Sequence, residues 1–105
     1  MRAGKLDRNI TIQELTVTQD AQGEPVEAWA DWAYVWAEVR DLRGREYFQA
    51  QAAQSAVDAL FIIRHKDGLK HEMRILDDGV LYNIKGIARV GRNQGLEIQA
   101  ARVGP

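Results

Sequence analysis

Apolar and polar residues alternate along most of this chain, and the alternation changes phase at a few definite places. The first run is Asn9 to Val17, with Ile10 and Ile12 in even phase and Leu15 and Val17 in odd phase. A strand of period two keeps a single apolar face, so the shift predicts a bulge or twist near Gln13-Glu14. Asp20 to Pro25 is turn chemistry. Val26 to Trp29 begins a second strand, and Ala30-Asp31-Trp32-Ala33 reads as a weak interruption. Alternation then resumes, with Val35, Ala37 and Val39 on one side and Trp36, Glu38 and Arg40 on the other.

The pattern breaks at Asp41 to Gly44, and Arg45 to Gln54 consists almost entirely of good helix formers. A short inserted α-helix is expected over about 44–54, with Glu46 where the N-terminal dipole favours an anion. At roughly 15 Å such a helix cannot stand alone in water. It needs the body of the protein or a neighbour.

Strand patterns return at Val57 to Arg64, where Phe61 and Ile63 face one way and Leu60 and Ile62 the other. A strand apolar on both faces is central to a closed core or buried against a partner. Met73 to Leu76 is a short strand, and Asp78-Gly79 closes a tight hairpin. Val80 to Val90 alternates, with Val80, Tyr82, Ile84, Ala88 and Val90 expected inward and a bend at Gly86. Gly91 to Gly95 turns the chain, and Leu96 to Ala100 is the closing strand.

Six to seven short strands and one helix predict a mainly β protein, a small antiparallel β-barrel. A length of 105 residues suits one domain spanning 1–105, with residues 1–8 reading as a mobile arm. No stretch has the roughly 18–20 apolar residues of a membrane span, and the start lacks the apolar run of a secretory leader. Synthesis in a cytoplasm, with no membrane partner, is the expectation.

Fourteen Lys and Arg against fifteen Asp and Glu leave no global pull toward nucleic acid. The absence of cysteine removes disulfides, thiol nucleophiles and thiolate metal sites. His65 and His71 have a spacing that suits no helix face, so no metal is expected. Asp77-Asp78 could be a carboxylate pair for proton transfer, but before Gly79 it reads as turn chemistry. No phosphate-cradling or nucleophile motif is present. Neither an enzyme nor a cofactor is expected.

Two readings remain. Trp29, Trp32, Trp36, Tyr34 and Tyr47, with a basic group at Lys85, Arg89, Arg92 and Arg102, would suit a barrel that binds single-stranded nucleic acid. Against this, the tryptophans crowd one half of the chain, away from the arginines. The favoured reading is a protein-interaction surface, because tryptophan buries a large area at small entropic cost. The candidate interface comprises Trp29, Trp36, Arg43, Arg45, Glu46, Tyr47 and Phe48.

Several segments carry a resemblance to a known family. Met1 to Gln13, Asp20 to Trp29, Val35 to Val39 with Leu42 to Glu46, Asp78 to Ile84 and Gly95 to Ile98 resemble, in order, the head–tail joining or head-closure proteins of tailed bacteriophages. The resemblance implies a small β-barrel with one inserted helix, located in the virion. Copies would form a ring between the portal-adaptor complex and the tail, closing the DNA-filled head and giving the tail its docking surface. The implied partners are copies of itself, the portal-adaptor protein, a tail completion or tail-tube protein, and packaged DNA in the channel. The family carries no catalytic motif.

Overall fold

A computed structural model describes residues 5–42, 57–92 and 94–103. Six strands lie in chain order: β1 (Arg8–Gln19), β2 (Pro25–Asp41), β3 (Ala59–Arg64), β4 (Arg74–Asp77), β5 (Val80–Val90) and β6 (Gly95–Arg102). All neighbours are antiparallel, and the order β1-β2-β3-β6-β5-β4 closes on itself as a barrel. Closure removes unpaired edges within the barrel itself. The seam is short: β4 meets β1 only at Gln13, Ile12 and Thr11.

The inward phase of each strand fills the barrel. Ile10, Ile12, Phe61, Ile63, Ile75 and Ile98 are its largest fully buried side chains. Opposed pairs stack them in layers, with Phe61 facing Ile98 and Ile63 facing Leu96 across β3 and β6. The Phe61 and Tyr82 rings meet edge to face, with centroids 5.0 Å apart, the geometry their quadrupoles favour. Small residues at Ala37, Ala59 and Ala100 leave room for these rings. The doubly apolar β3 is paired on both sides, with β2 and β6, and its outward Ile62 is also buried.

Local chemistry shapes the turns. Asp78 (φ 51°) and Gly79 (φ 82°) both adopt left-handed backbone and form a two-residue hairpin between Asp77 and Val80. That combination favours a type I′ turn, whose twist matches the strands. At the β1–β2 turn the Asp20 carboxylate accepts from the amides of Gln22 and Glu24, each at 2.9 Å.

Three expectations are revised. The interruption at Ala30–Ala33 is a bulge and not a break, because β2 is one continuous strand of 17 residues whose register against β1 shifts there. The chain is packed before residue 9, with Leu6 buried and Arg8 opening β1. In β5 the register shifts between Ile84 and Gly86, leaving Lys85 as an extra residue. The phase therefore flips, so that Ile87 packs on the core while Ala88 is exposed. The helix expected over about 44–54 lies outside the described residues. Its flanks are tied, since the Leu42 amide donates to the Asp58 carbonyl at 2.9 Å and the Asp58 amide to the Ala100 carbonyl at 2.8 Å.

Phe61→Ala is expected to cost about 3–5 kcal/mol of stability, because the closed barrel cannot collapse around the void. Urea unfolding monitored by tryptophan fluorescence measures it.

Candidate assembly surface

The shift between Ile12 and Gln13 reorganises one wall of the barrel. Ile12 pairs with Ala33 and Gln13 with Asp31, so the extra residue is Trp32 on β2. Strand β1 keeps its alternation throughout. Its even residues Ile10 and Ile12 point into the barrel, and its odd residues Leu15 and Val17 point out and are exposed. The phase change in the sequence is thus a change of face for the apolar residues, with the bulge on the partner strand.

On β2 the bulge has two effects. Trp32 turns toward the barrel mouth and packs against the core with Leu69. Lys66 Nζ lies 5.2 Å from the centre of its ring. Gly68 adjoins it so closely that a Cβ there would come within 3.0 Å of Trp32 Cζ2, and Gly68 also needs a φ of +93°. The second effect is on the outer face. Opposed residues share a face, so Trp36, Tyr34, Asp31 and Trp29 all lie outward, opposite Asn9, Thr11, Gln13 and Leu15. Without the extra residue, Trp29 would fall on the other side from Trp36 and Tyr34.

The stripe is exposed. Trp36 retains 56% of its accessible surface, Tyr34 67%, Trp29 36% and Leu15 39%. Side-chain bonds fix its middle. Arg74 from β4 lies 4.2 Å above the Trp29 ring and donates to Gln13 Oε1 at 2.7 Å. Gln13 donates to Asp31 Oδ1 at 3.0 Å, and the Tyr34 hydroxyl donates to Asp31 Oδ2 at 2.7 Å. These two bonds, the tyrosine's foremost, hold the Asp31 carboxyl below the ordinary carboxylate range. The same carboxylate raises the Tyr34 phenol above its usual value, by accepting its hydrogen bond and by its charge.

Beyond the seam, β1 and β2 have only each other. Strand β4 reaches no further than Gln13 and β3 no further than Ala37. The rest of the hairpin projects as a two-stranded arm of about 20 Å, at the usual rise per residue. The molecule is accordingly elongated, 50 × 29 × 24 Å. Residues 21–31 are exposed throughout, including Val26 and Trp29 on the arm, with Val17 on the facing strand.

The sequence-selected residues separate. Trp29 and Trp36 share the outward stripe. Arg43, Arg45, Glu46, Tyr47 and Phe48 lie outside the described residues. The basic group does not assemble. Arg89 and Arg92 sit at the β5–β6 turn, Lys85 at the bulge, and Arg102 at the opposite end of β6, opposite Tyr82. Asp77, read as a turn residue, is buried to 3% and is bound by Arg8 through Nε to Oδ1 and a terminal nitrogen to Oδ2, each at 3.2 Å. Arg8 lies in the stretch read as an arm, so no local pattern could have paired them. His65 Nε2 sits 2.9 Å from Asp67 Oδ1, and among the described residues no His, Asp or Glu cluster has metal-binding geometry.

A closed barrel with a packed interior, a projecting ribbon and an exposed aromatic wall is a scaffold for contacts. Comparison with known proteins agrees. Residues 1–103 match the model of the phage head completion protein family, and the chain belongs to that family of structural virion proteins. It is 29% identical over 91 residues to the head completion protein gp7 of Enterobacteria phage HK97, covering 82% of this chain and 81% of that protein. The solution structure of a Shigella flexneri 2a protein superposes with a TM-score of 0.79 at 28% identity, covering 98% of this chain and 97% of the other. A chain from the virion of a native gene transfer agent particle shares the fold, with a TM-score of 0.62 at 22% identity over 90% and 91% of the two chains.

Two outcomes test this geometry. Tyr34→Phe should raise the Asp31 pKa toward the ordinary carboxylate value, read by NMR titration. The native bond favours the ionised carboxylate, so its contribution is present above the unfolded pKa and is lost as pH falls through the depressed one. Arg8→Ala, which strips the buried Asp77 of its partner, should cost about 1–3 kcal/mol in denaturant unfolding.

Proposed function

We propose that copies of this chain form a ring between the portal-adaptor complex and the tail, closing the filled head and presenting the surface on which the tail docks. The carrying observation is the outward stripe Trp36–Tyr34–Trp29 with Leu15, an aromatic surface held rigid by Asp31, Gln13 and Arg74. Exposed aromatic area of that extent is suited to burial against protein, where it contributes much of the binding energy.

A ring needs a heterologous contact, in which two different patches of one chain meet. Arg43, Arg45, Glu46, Tyr47 and Phe48, in the segment joining β2 to β3, are a second contact in this reading, directed to a neighbouring copy or the portal-adaptor protein. The tail completion or tail-tube protein is the partner on the other side, and packaged DNA passes through the channel.

The single-stranded nucleic-acid reading has less support. The aromatic wall carries Asp31 in its centre and continues into an arm rich in carboxylates, which repel a phosphate backbone.

Trp29→Ala with Trp36→Ala tests the proposal. Both side chains are exposed on the outer wall, so folding should survive with a loss of about 1 kcal/mol or less. Heads supplied with this variant should lose DNA or fail to accept tails in a complementation assay. Undiminished yields of infectious particles would overturn the assignment of this wall.

A further inference from the structure

The arm and the far wall of the barrel carry opposite charge. Between Gln13 and Asp31 the arm has five carboxylates, Glu14, Asp20, Glu24, Glu27 and Asp31, and no lysine or arginine. The β5–β6 hairpin, residues 80–102, has Lys85, Arg89, Arg92 and Arg102 against the single carboxylate Glu97. Arg64, Arg89 and Arg92 are exposed, and no ion pair joins them to another described residue.

Topology sets where these surfaces point. Around the barrel the order is β1-β2-β3-β6-β5-β4, so the β1–β2 ribbon and the β5–β6 hairpin occupy opposite walls. Arg64 pairs with Gly95, which also faces Val90, and Arg64 follows Ile63, which faces Ala37. The β5–β6 turn at Gly91 and Arg92 therefore lies at the same end of the barrel from which the arm projects. An acidic arm on one wall and a basic turn on the other, at the same end of the barrel, face apart within a copy. They are placed to meet between copies related by rotation about a ring axis.

We infer that the arm of one copy packs against the β5–β6 turn of the next, as the head-to-tail contact of the ring proposed above, on which this inference rests. Glu24 and Glu27 approach Arg89 and Arg92. Leu15, Val17 and Trp29 cover the exposed Ala88 and the half-buried Val90 of the neighbour. A free two-stranded ribbon is marginal in water, so the contact also stabilises the arm.

The cysteine-free chain permits a direct test. Glu27→Cys and Arg92→Cys, placed together in the full chain, should give ladders of disulfide-linked copies on completed heads and in concentrated solution, while either cysteine alone gives at most dimers. Charge reversal supplies the specificity. Glu24→Lys with Glu27→Lys, or Arg89→Glu with Arg92→Glu, should each weaken association about tenfold or more, and all four together should restore most of it. All four residues are exposed, so an unchanged melting temperature verifies that each variant folds.

The contact is overturned if the paired cysteines give no ladder in either setting, if the fourfold variant associates no better than the twofold ones, or if the arm cysteine links to another virion protein instead. Heads completed normally by the arm-reversed chain would remove this contact and leave the ring reading standing. Ladders in solution from a chain that never completes heads would do the reverse.

Discussion

One extra residue in β2 governs the form of this molecule. With Trp32 opposite no residue of β1, the strand carries its alternation to the other phase halfway along. The barrel half of β2 presents Ala37 and Val35 to the core, and the arm half presents Trp29 to the outside. The same residue packs its own indole against the core. A regular strand could not do both, because period two commits every second residue to one face. The cost is a locally broken ladder, beside which Lys66 Nζ lies over the Trp32 indole.

That constraint divides the labour along the chain. The barrel interior is filled by buried apolar side chains, and each large one contributes about 1.5–3 kcal/mol from burial alone. Its rim uses an ion pair, Arg8 with buried Asp77, which ties the start of β1 to the end of β4 beside the short seam. The arm has no such core. Its order rests on the cross-strand ladder, the Asp20 turn and the Arg74–Gln13–Asp31–Tyr34 chain at its base. Buried apolar packing is concentrated in the barrel, and exposed apolar and aromatic side chains in the arm and its base.

The barrel is filled by Phe61, Tyr82 and six strands' worth of aliphatic side chains, and its outer wall is where polar and aromatic groups converge. A protein whose family role is structural needs rigid placement of a surface. The hydrogen bonds to Asp31 and the Arg74 guanidinium stacked on Trp29 limit rotamer freedom on the outer wall.

The amino-acid sequence by itself determined the strands, the Asp78-Gly79 and Asp20–Pro25 turns and the doubly apolar character of Val57 to Arg64, because each depends on residues close together in the chain. It also marked Trp29 and Trp36 as surface candidates through their residue type. Tertiary structure alone decided which strand holds the bulge, that Leu15 and Val17 leave the core, that β2 is unbroken, that Arg8 finds Asp77, and that the basic residues divide between two ends of the barrel. Those outcomes depend on pairing register between distant segments. Register is settled by the closed barrel as a whole, where one residue gained on one strand moves every later side chain to the opposite face.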